Sequence, residues 1–198
     1  MKTTEKILFN LVKMLEERKF LNKKNNKKNN KLLLNQDNNE KTFKIKSDYS
    51  DIYYYIMFIF TKLTTIKKID GIDTFINMSK NNNRLFIVKT INLKTYKQFI
   101  NFNDSEVFYD HELLINLIDH ELQPKFEILS PSESQNFLSS YNTKKSEIAK
   151  ILSIDPIVRY YNLKDNQIIR IIRPSITSCY TVSYRIVTKV SESLLFKK

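Results

Sequence analysis

The stretch Ile154–Val187 reads IDPIVRYYNLKDNQIIRIIRPSITSCYTVSYRIV. Asp155-Pro156 predicts a helix start. An Asp side chain can accept one of the first orphan amides, and Pro at the first helical position gives up no needed donor. The helix ends at Tyr161-Asn162, because Asn follows only Gly in its tolerance of a left-handed cap. Lys164-Asp165-Asn166 makes a turn. Gln167–Arg173 and Thr181–Thr188 then read as two strands joined by a polar Ser/Thr turn. Strand alternation puts Arg170 and Arg173 on opposite faces, so at least one face is basic and exposed or makes ion pairs with a partner.

Moving outward, Phe126–Leu129 reads as a short strand. It runs into Ser130-Pro131-Ser132-Glu133, a complete helix start. The Ser130 hydroxyl can take the amide of Glu133, and the Glu133 carboxylate can reach back to the Ser130 amide. That helix extends to about Tyr141, and a short one is expected around Ser146–Leu152. Upstream, Leu113–Ile118 (LLINLI) and Leu85–Val88 read as strands, and Ile91–Phe102 is mixed. Asp51–Leu63 (DIYYYIMFIFTKL) is apolar nearly all round, so period alone leaves helix and strand both open. Phe43 and Ile45 alternate with Lys44 and Lys46 as a short strand. Ile7, Leu8, Leu11, Val12 and Leu15 form one stripe of a helix over Thr4–Phe20. Strands, then helices, then strands give an α+β architecture in both halves.

The chain has 198 residues, and 41% are hydrophobic, enough for a packed core. Its single glycine, Gly71, excludes the dinucleotide fingerprint, the phosphate loop and the nucleophile elbow, each of which needs several glycines. The lone Cys179 forms no internal disulfide, which points to a reducing compartment. The longest apolar run, Ile52–Phe60, is far shorter than the roughly 20 residues of a spanning helix. Met1–Lys6 is polar, so no secretory signal is expected.

Net charge is +12. Asn22–Lys46 alone contributes +6 and includes NKKNNKKNNK, which reads as a solvated insertion. The chain carries +9 through Asp110 and +3 from His111 onward, a first sign of two domains.

Catalytic chemistry finds little support. His111, Glu112, Asp119, His120 and Glu121 lack the spacing that puts two His on adjacent turns of one helix. They read instead as residues that cap and pin a domain junction. Cys179 has no nearby His and reads as a small turn or core residue. Tyr53, Tyr54 and Tyr55 could stack bases, but a run this apolar reads as core. No general acid/base pair has positional support, so the chain reads as part of a larger assembly.

His120–Val187 strongly resembles the fifth subunit of the eukaryotic nuclear RNA polymerases, shared by polymerases I, II and III, and the archaeal counterpart of that subunit. The resemblance rests on His120-Glu121-Leu122, Pro124, Asp155-Pro156, Tyr160, Leu163-Lys164, Ile171-Ile172-Arg173, Ser175, Thr177-Ser178 and Ser183-Tyr184-Arg185-Ile186. Phe126 stands where the family usually has a second His. Asn162, Asn166 and Cys179 stand where it usually has Gly. The N-terminal half resembles the eukaryotic version more weakly, through the opening helix, the Leu85–Val88 strand and EVFYDHELLINLIDHEL (Glu106–Leu122).

The resemblance implies two domains: an N-terminal jaw-like α/β domain over 1–118, with the Lys/Asn-rich loop at 22–41, and a C-terminal mixed α+β assembly domain over 119–190. A tail follows at 191–198. It implies a non-catalytic subunit of a multisubunit DNA-directed RNA polymerase, with no cofactor, metal or small-molecule ligand and no membrane contact. The assembly domain would dock on the largest subunit, beside neighbouring small subunits. Its expected partner-binding residues are His120, Glu121, Pro124, Asp155, Pro156, Tyr160, Arg173, Ser175, Ser183, Tyr184 and Arg185. The jaw would lie near downstream duplex DNA. The family's Thr-Pro-Ser-Ala loop has no match here, and Lys94 and Lys97 are the nearest basic candidates. The alternative is a free-standing basic nucleic-acid-binding transcription modulator. Lys/Asn richness and a trimmed jaw fit an A/T-rich protist and, better, a large DNA virus. The expected location is the nucleus for a cellular copy, or the host cytoplasm (viral factory) or virion for a viral one.

Overall fold

The computed structural model describes residues 3–22, 42–63, 65–66, 69, 71–102 and 104–189. The Lys/Asn-rich loop beyond Asn22 and the tail at 191–198 lie outside the described residues. The chain divides into two units between Ile115 and Asn116.

The first unit opens with helix α1 (Thr3–Glu17), whose stripe Ile7, Leu8, Leu11, Val12 and Leu15 is buried. Strands β1 (Thr42–Lys46), β2 (Tyr53–Leu63), β3 (Asn83–Ile91) and β4 (Ser105–Tyr109) form one sheet in that order. β1 runs antiparallel to β2, and β2, β3 and β4 are mutually parallel. A parallel pair needs a crossover. Helices α2 (Ile72–Met78) and α3 (Leu93–Ile100) supply the two required here. The ambiguity of DIYYYIMFIFTKL ends as a strand: β2 is paired on both edges and covered on both faces, so Tyr54, Ile56, Met57, Phe58 and Ile59 are all buried.

Two crossover caps show how local residues set the turns. Gly71, the one glycine, precedes α2 with φ 78, a left-handed conformation that costs glycine least. Asn92 caps α3 by accepting the Thr95 amide at 2.8 Å. Phe75 of α2 and Phe99 of α3 both pack on Phe86, at ring separations of 5.5 and 4.5 Å. By strand alternation Tyr54 and Glu106 point to the other face, where Arg18 just beyond α1 bonds both.

LLINLI does not form a strand. Helix α4 (Asp110–Leu113) and a 3₁₀ turn (Leu117–Asp119) occupy it. Glu112 accepts the Tyr109 amide at 2.8 Å and winds the turn. Asn10 of α1 donates to the Leu113 carbonyl at 2.8 Å, so the buried Leu113 packs on a helix instead of joining the sheet.

The second unit is a sheet ordered β5-β7-β8-β6, built from Lys125–Ile128, Ile168–Ser175, Cys179–Thr188 and Lys150–Leu152 respectively. β5–β7 and β7–β8 are antiparallel, and β6–β8 is parallel. Helix α5 (Pro131–Ser140) starts on the expected reciprocal cap: Glu133 donates its amide to Ser130 Oγ at 3.3 Å, and Ser130 donates its amide to Glu133 Oε2 at 2.7 Å. Helix α6 (Pro156–Tyr160) starts on Asp155, whose Oδ1 accepts the Ile157 amide at 2.9 Å. Asn162, Asn166 and Cys179 have φ of 50, 64 and 59°, all left-handed.

The short helix expected at Ser146–Leu152 is absent. Lys145–Glu147 is a single 3₁₀ turn, and Lys150–Leu152 is β6. Ile148 and Ile151 are spaced as on a helix, but the free edge of β8 captures the segment, starting with the Ile186 amide on the Ala149 carbonyl at 2.9 Å. α5 covers one face of this sheet, where Phe137 and Leu138 pack on Ile168 and Ile186. On the other face Val158 of α6 packs with Ile151, Ile169, Ile171 and Val187.

Candidate functional site

The face of the second sheet that α6 partly covers carries a cleft of about 450 Å³. Its position follows from register. Ile169 pairs with Arg185 and Ile171 with Phe126, and alternation puts Arg173 on the same side. β6 adds Ile151 and the start of α6 adds Pro156 and Ile157. Ile151, Ile157 and Ile171 are core side chains, at most 8% exposed, that form the floor, and the guanidinium groups of Arg173 and Arg185 line the same cleft.

Those two groups differ from the other arginine of the hairpin. Arg170, on the opposite face, donates from Nε to Glu127 Oε2 at 2.7 Å, and Lys125 reaches Glu127 Oε1 at 2.9 Å. Lys125 first, and then Arg170, hold the Glu127 carboxyl below the usual carboxylate range. On the cleft side, Arg185 Nη1 donates to the Lys150 carbonyl at 3.1 Å, which fixes its position without neutralising it. Among the described residues neither Arg173 nor Arg185 pairs with a carboxylate. Asp155 lines the same cleft, but one carboxylate oxygen is engaged in capping α6.

The structure thus brings together Pro124, Asp155, Pro156, Arg173 and Arg185 of the eleven expected partner-binding residues. Ser183 pairs with Ile171 and lies on the same face. Tyr184 lies on the opposite face, stacked on Phe137 at 4.0 Å under α5. Tyr160 is buried in the core of the unit, edge-on to Tyr161. His120 and Glu121 are exposed ahead of β5, with His120 Nδ1 accepting the Leu122 amide at 3.2 Å. Ser175 sits at the hairpin end beside Thr177.

Sequence reasoning missed the apolar lining. Phe126, Ile151 and Ile157 come to line one cleft only when β5, β6 and α6 meet, and no local spacing announces that. Phe126 was visible as the start of a short strand and as a departure from a His, not as part of a cleft.

In the first unit Lys94 and Lys97 are both exposed on α3. His111 stacks on Tyr109 at 5.3 Å and lies 3.6 Å from Asp110. No group of three His, Cys, Asp or Glu side chains is placed to hold a metal among the described residues. No helix among them is long and apolar enough to cross a membrane.

Comparison with known proteins bears on both units. The family model for RNA polymerase Rpb5, C-terminal domain, matches residues 115–187. DNA-directed RNA polymerase subunit 5 of Acanthamoeba polyphaga mimivirus is 36% identical over 186 residues, 91% of this chain and 90% of the viral one. The Caenorhabditis elegans subunit RPABC1 of DNA-directed RNA polymerases I, II, and III is 37% identical over 82 residues, 41% of this chain and 39% of that protein. Its Dictyostelium discoideum counterpart is 37% identical over 81 residues, 41% of each chain. The match to the viral protein takes in both units, and the match to these cellular proteins is less than half of the chain.

Proposed function

The chain belongs to the subunit-5 family of DNA-directed RNA polymerases, and from that premise we propose that it serves as a non-catalytic subunit of such an enzyme, joined to the complex through its second unit. The observation that carries this reading is the cleft. Five positions that carry the family resemblance, drawn from four separate stretches of the sequence, converge on one side of the sheet, where two arginines pair with no carboxylate among the described residues. The remaining face is occupied internally by α5 and by the Glu127–Arg170 pair. This division supports docking on the largest subunit through the cleft side.

The first unit would lie near downstream DNA, with Lys94 and Lys97 exposed towards phosphates. An excess of positive charge in that half favours such a place. The viral relative that aligns over nearly the whole chain supports a virus-encoded polymerase, working in the host cytoplasm or carried in the virion.

Purification of the tagged full chain from its native source tests the reading. The two largest polymerase subunits are expected to co-purify. Recovery of the chain alone, with DNA binding that falls steeply with salt, would instead identify a free-standing nucleic-acid-binding protein.

A further inference from the structure

We propose that the face of the first sheet beside α2 binds unpaired nucleic acid, with Tyr53 and Tyr55 stacking on bases and Lys44 and Lys46 meeting phosphates. This goes beyond the subunit reading and uses residues of the first unit, not the cleft of the second.

The run DIYYYIMFIFTKL is not core throughout. Tyr54 is buried on the α1 side, whereas alternation turns Tyr53 and Tyr55 to the α2 side, where both are only half-buried. Register sets Lys44 of β1 opposite Tyr55 and Lys46 opposite Tyr53. The Lys44 ammonium lies 4.1 Å from the centre of the Tyr53 ring and 5.2 Å from that of Tyr55, and Lys46 lies 5.8 Å from Tyr53. Among the described residues only Lys13 over Phe9 makes another such contact. Two rings, 6.3 Å apart, and two exposed lysines therefore share one patch. Its frame is fixed. Phe75 of α2 meets Tyr55 edge-on at 6.2 Å, and the Tyr53 amide donates to Asn82 Oδ1 at 3.0 Å.

Rings interleaved with cations suit an unpaired strand, because every base has a π-face and every linkage a negative charge. A duplex keeps its bases stacked on one another and would use the lysines alone. An acidic peptide would meet the lysines but does not carry a flat ring on every unit. An exposed ammonium over a ring contributes less than a stacked base, so a base displaces it and the lysine turns to phosphate. Lys46 also pairs with Asp51 at 2.9 Å, an exposed ion pair of little strength. The +9 carried through Asp110 draws a polyanion towards this unit.

Fluorescence anisotropy of the purified full chain tests this, with labelled oligothymidylate, oligouridylate and a DNA duplex of equal length. The tighter of the two single strands identifies DNA or RNA as the source. Tyr53→Ala is expected to weaken single-strand binding about tenfold and to change duplex binding little. Tyr53→Phe keeps the ring and should bind as the wild type does. Lys44→Gln should weaken binding of single strand and duplex alike. Ultraviolet cross-linking of the wild-type chain to the bound single strand needs no variant and is expected to mark Tyr53 or Tyr55. No single-strand binding by the wild type, a Tyr53→Ala effect that is absent or equal for the duplex, or cross-links confined to other residues overturns the proposal. None of these outcomes depends on recovery of the polymerase, so the subunit reading and this proposal fail separately.

Discussion

Arg18 and Glu106 form a two-pronged ion pair beneath α1, with Nη1–Oε1 at 2.9 Å and Nη2–Oε2 at 2.8 Å. The side chains are only 6% and 17% exposed, and the Tyr54 hydroxyl joins both, at 3.1 and 3.2 Å. One residue lies just beyond the first helix and the other is on the last strand of the sheet, so the pair ties the opening helix to the sheet's far edge. Removing one partner strands a charge away from water. Arg18→Met or Glu106→Gln is expected to cost about 3 kcal/mol of unfolding free energy. The double change Arg18→Met/Glu106→Leu should recover most of that loss, because no charge is then left buried. Urea titration of the three variants checks this, and a double variant no better than the singles would contradict it.

The same cluster sets an alkaline limit. Burial first, and then the neighbouring Glu106, push the Tyr54 hydroxyl up to about 12, against the opposing pull of Arg18. Between the ordinary tyrosine value of 10.0 and that figure, the unfolded chain releases the proton while the folded chain retains it. The contribution is therefore complete below pH 10 and is lost as pH rises to 12, by about 2 kcal/mol. Tyr54→Phe has no proton to lose there. Its stability should fall less steeply across this interval than that of the wild type. Parallel profiles would show that Tyr54 does not govern the loss.

The start of α5 has a local basis. Ser130→Ala removes the acceptor for the Glu133 amide and is expected to cost about 1 kcal/mol, while Ser130→Thr retains most of the stability. The Ser130 amide, and then its hydroxyl, hold the Glu133 carboxyl below its usual range. That contribution is present at neutral pH and is lost as pH falls through the carboxylate range. The difference between the wild type and Glu133→Gln in denaturant midpoint should accordingly shrink in acid.

Cys179 occupies a left-handed position, φ 59°, at the first residue of β8. A side chain there costs roughly 1–2 kcal/mol relative to glycine, and glycine gives back part of this through a more flexible unfolded chain. Cys179→Gly should therefore stabilise the chain by roughly 0.5–1 kcal/mol net. Cys179→Val should destabilise it, since a β-branched residue is least suited to positive φ. Thermal denaturation of both variants gives the sign directly. A stability gain in the valine variant would rule out backbone strain at this turn.

What could be read from the chain was what residues decide with their near neighbours. Asp155-Pro156, Ser130 with Glu133, and the asparagines at 162 and 166 each complete their chemistry within a few positions, and each element they bound lies where local reasoning puts it. The α1 stripe has the same character, because a helix carries its whole hydrogen-bond ladder in itself. The resemblance over His120–Val187 likewise lay in the order and spacing of residues.

Where the backbone partners were distant, local pattern failed. DIYYYIMFIFTKL became a strand because β1 and β3 took its edges. The segment around Ile148 and Ile151 became β6 because the edge of β8 was open to it. LLINLI did not become a strand because Glu112 closed a turn and α1 met Leu113. The α2 crossover, Ile72–Met78, gave too short a pattern to be recognised, yet the parallel pairing of β2 with β3 required a connection there. The cleft shows the same division. Arg173 and Arg185 could be named from the sequence, but not that they line one cleft with Phe126, Ile151 and Ile157. Those facts depend on the β5–β7–β8–β6 register. A sheet gains its hydrogen bonds and buried area only when segments far apart in the chain pair, so only the tertiary structure could assemble the surface.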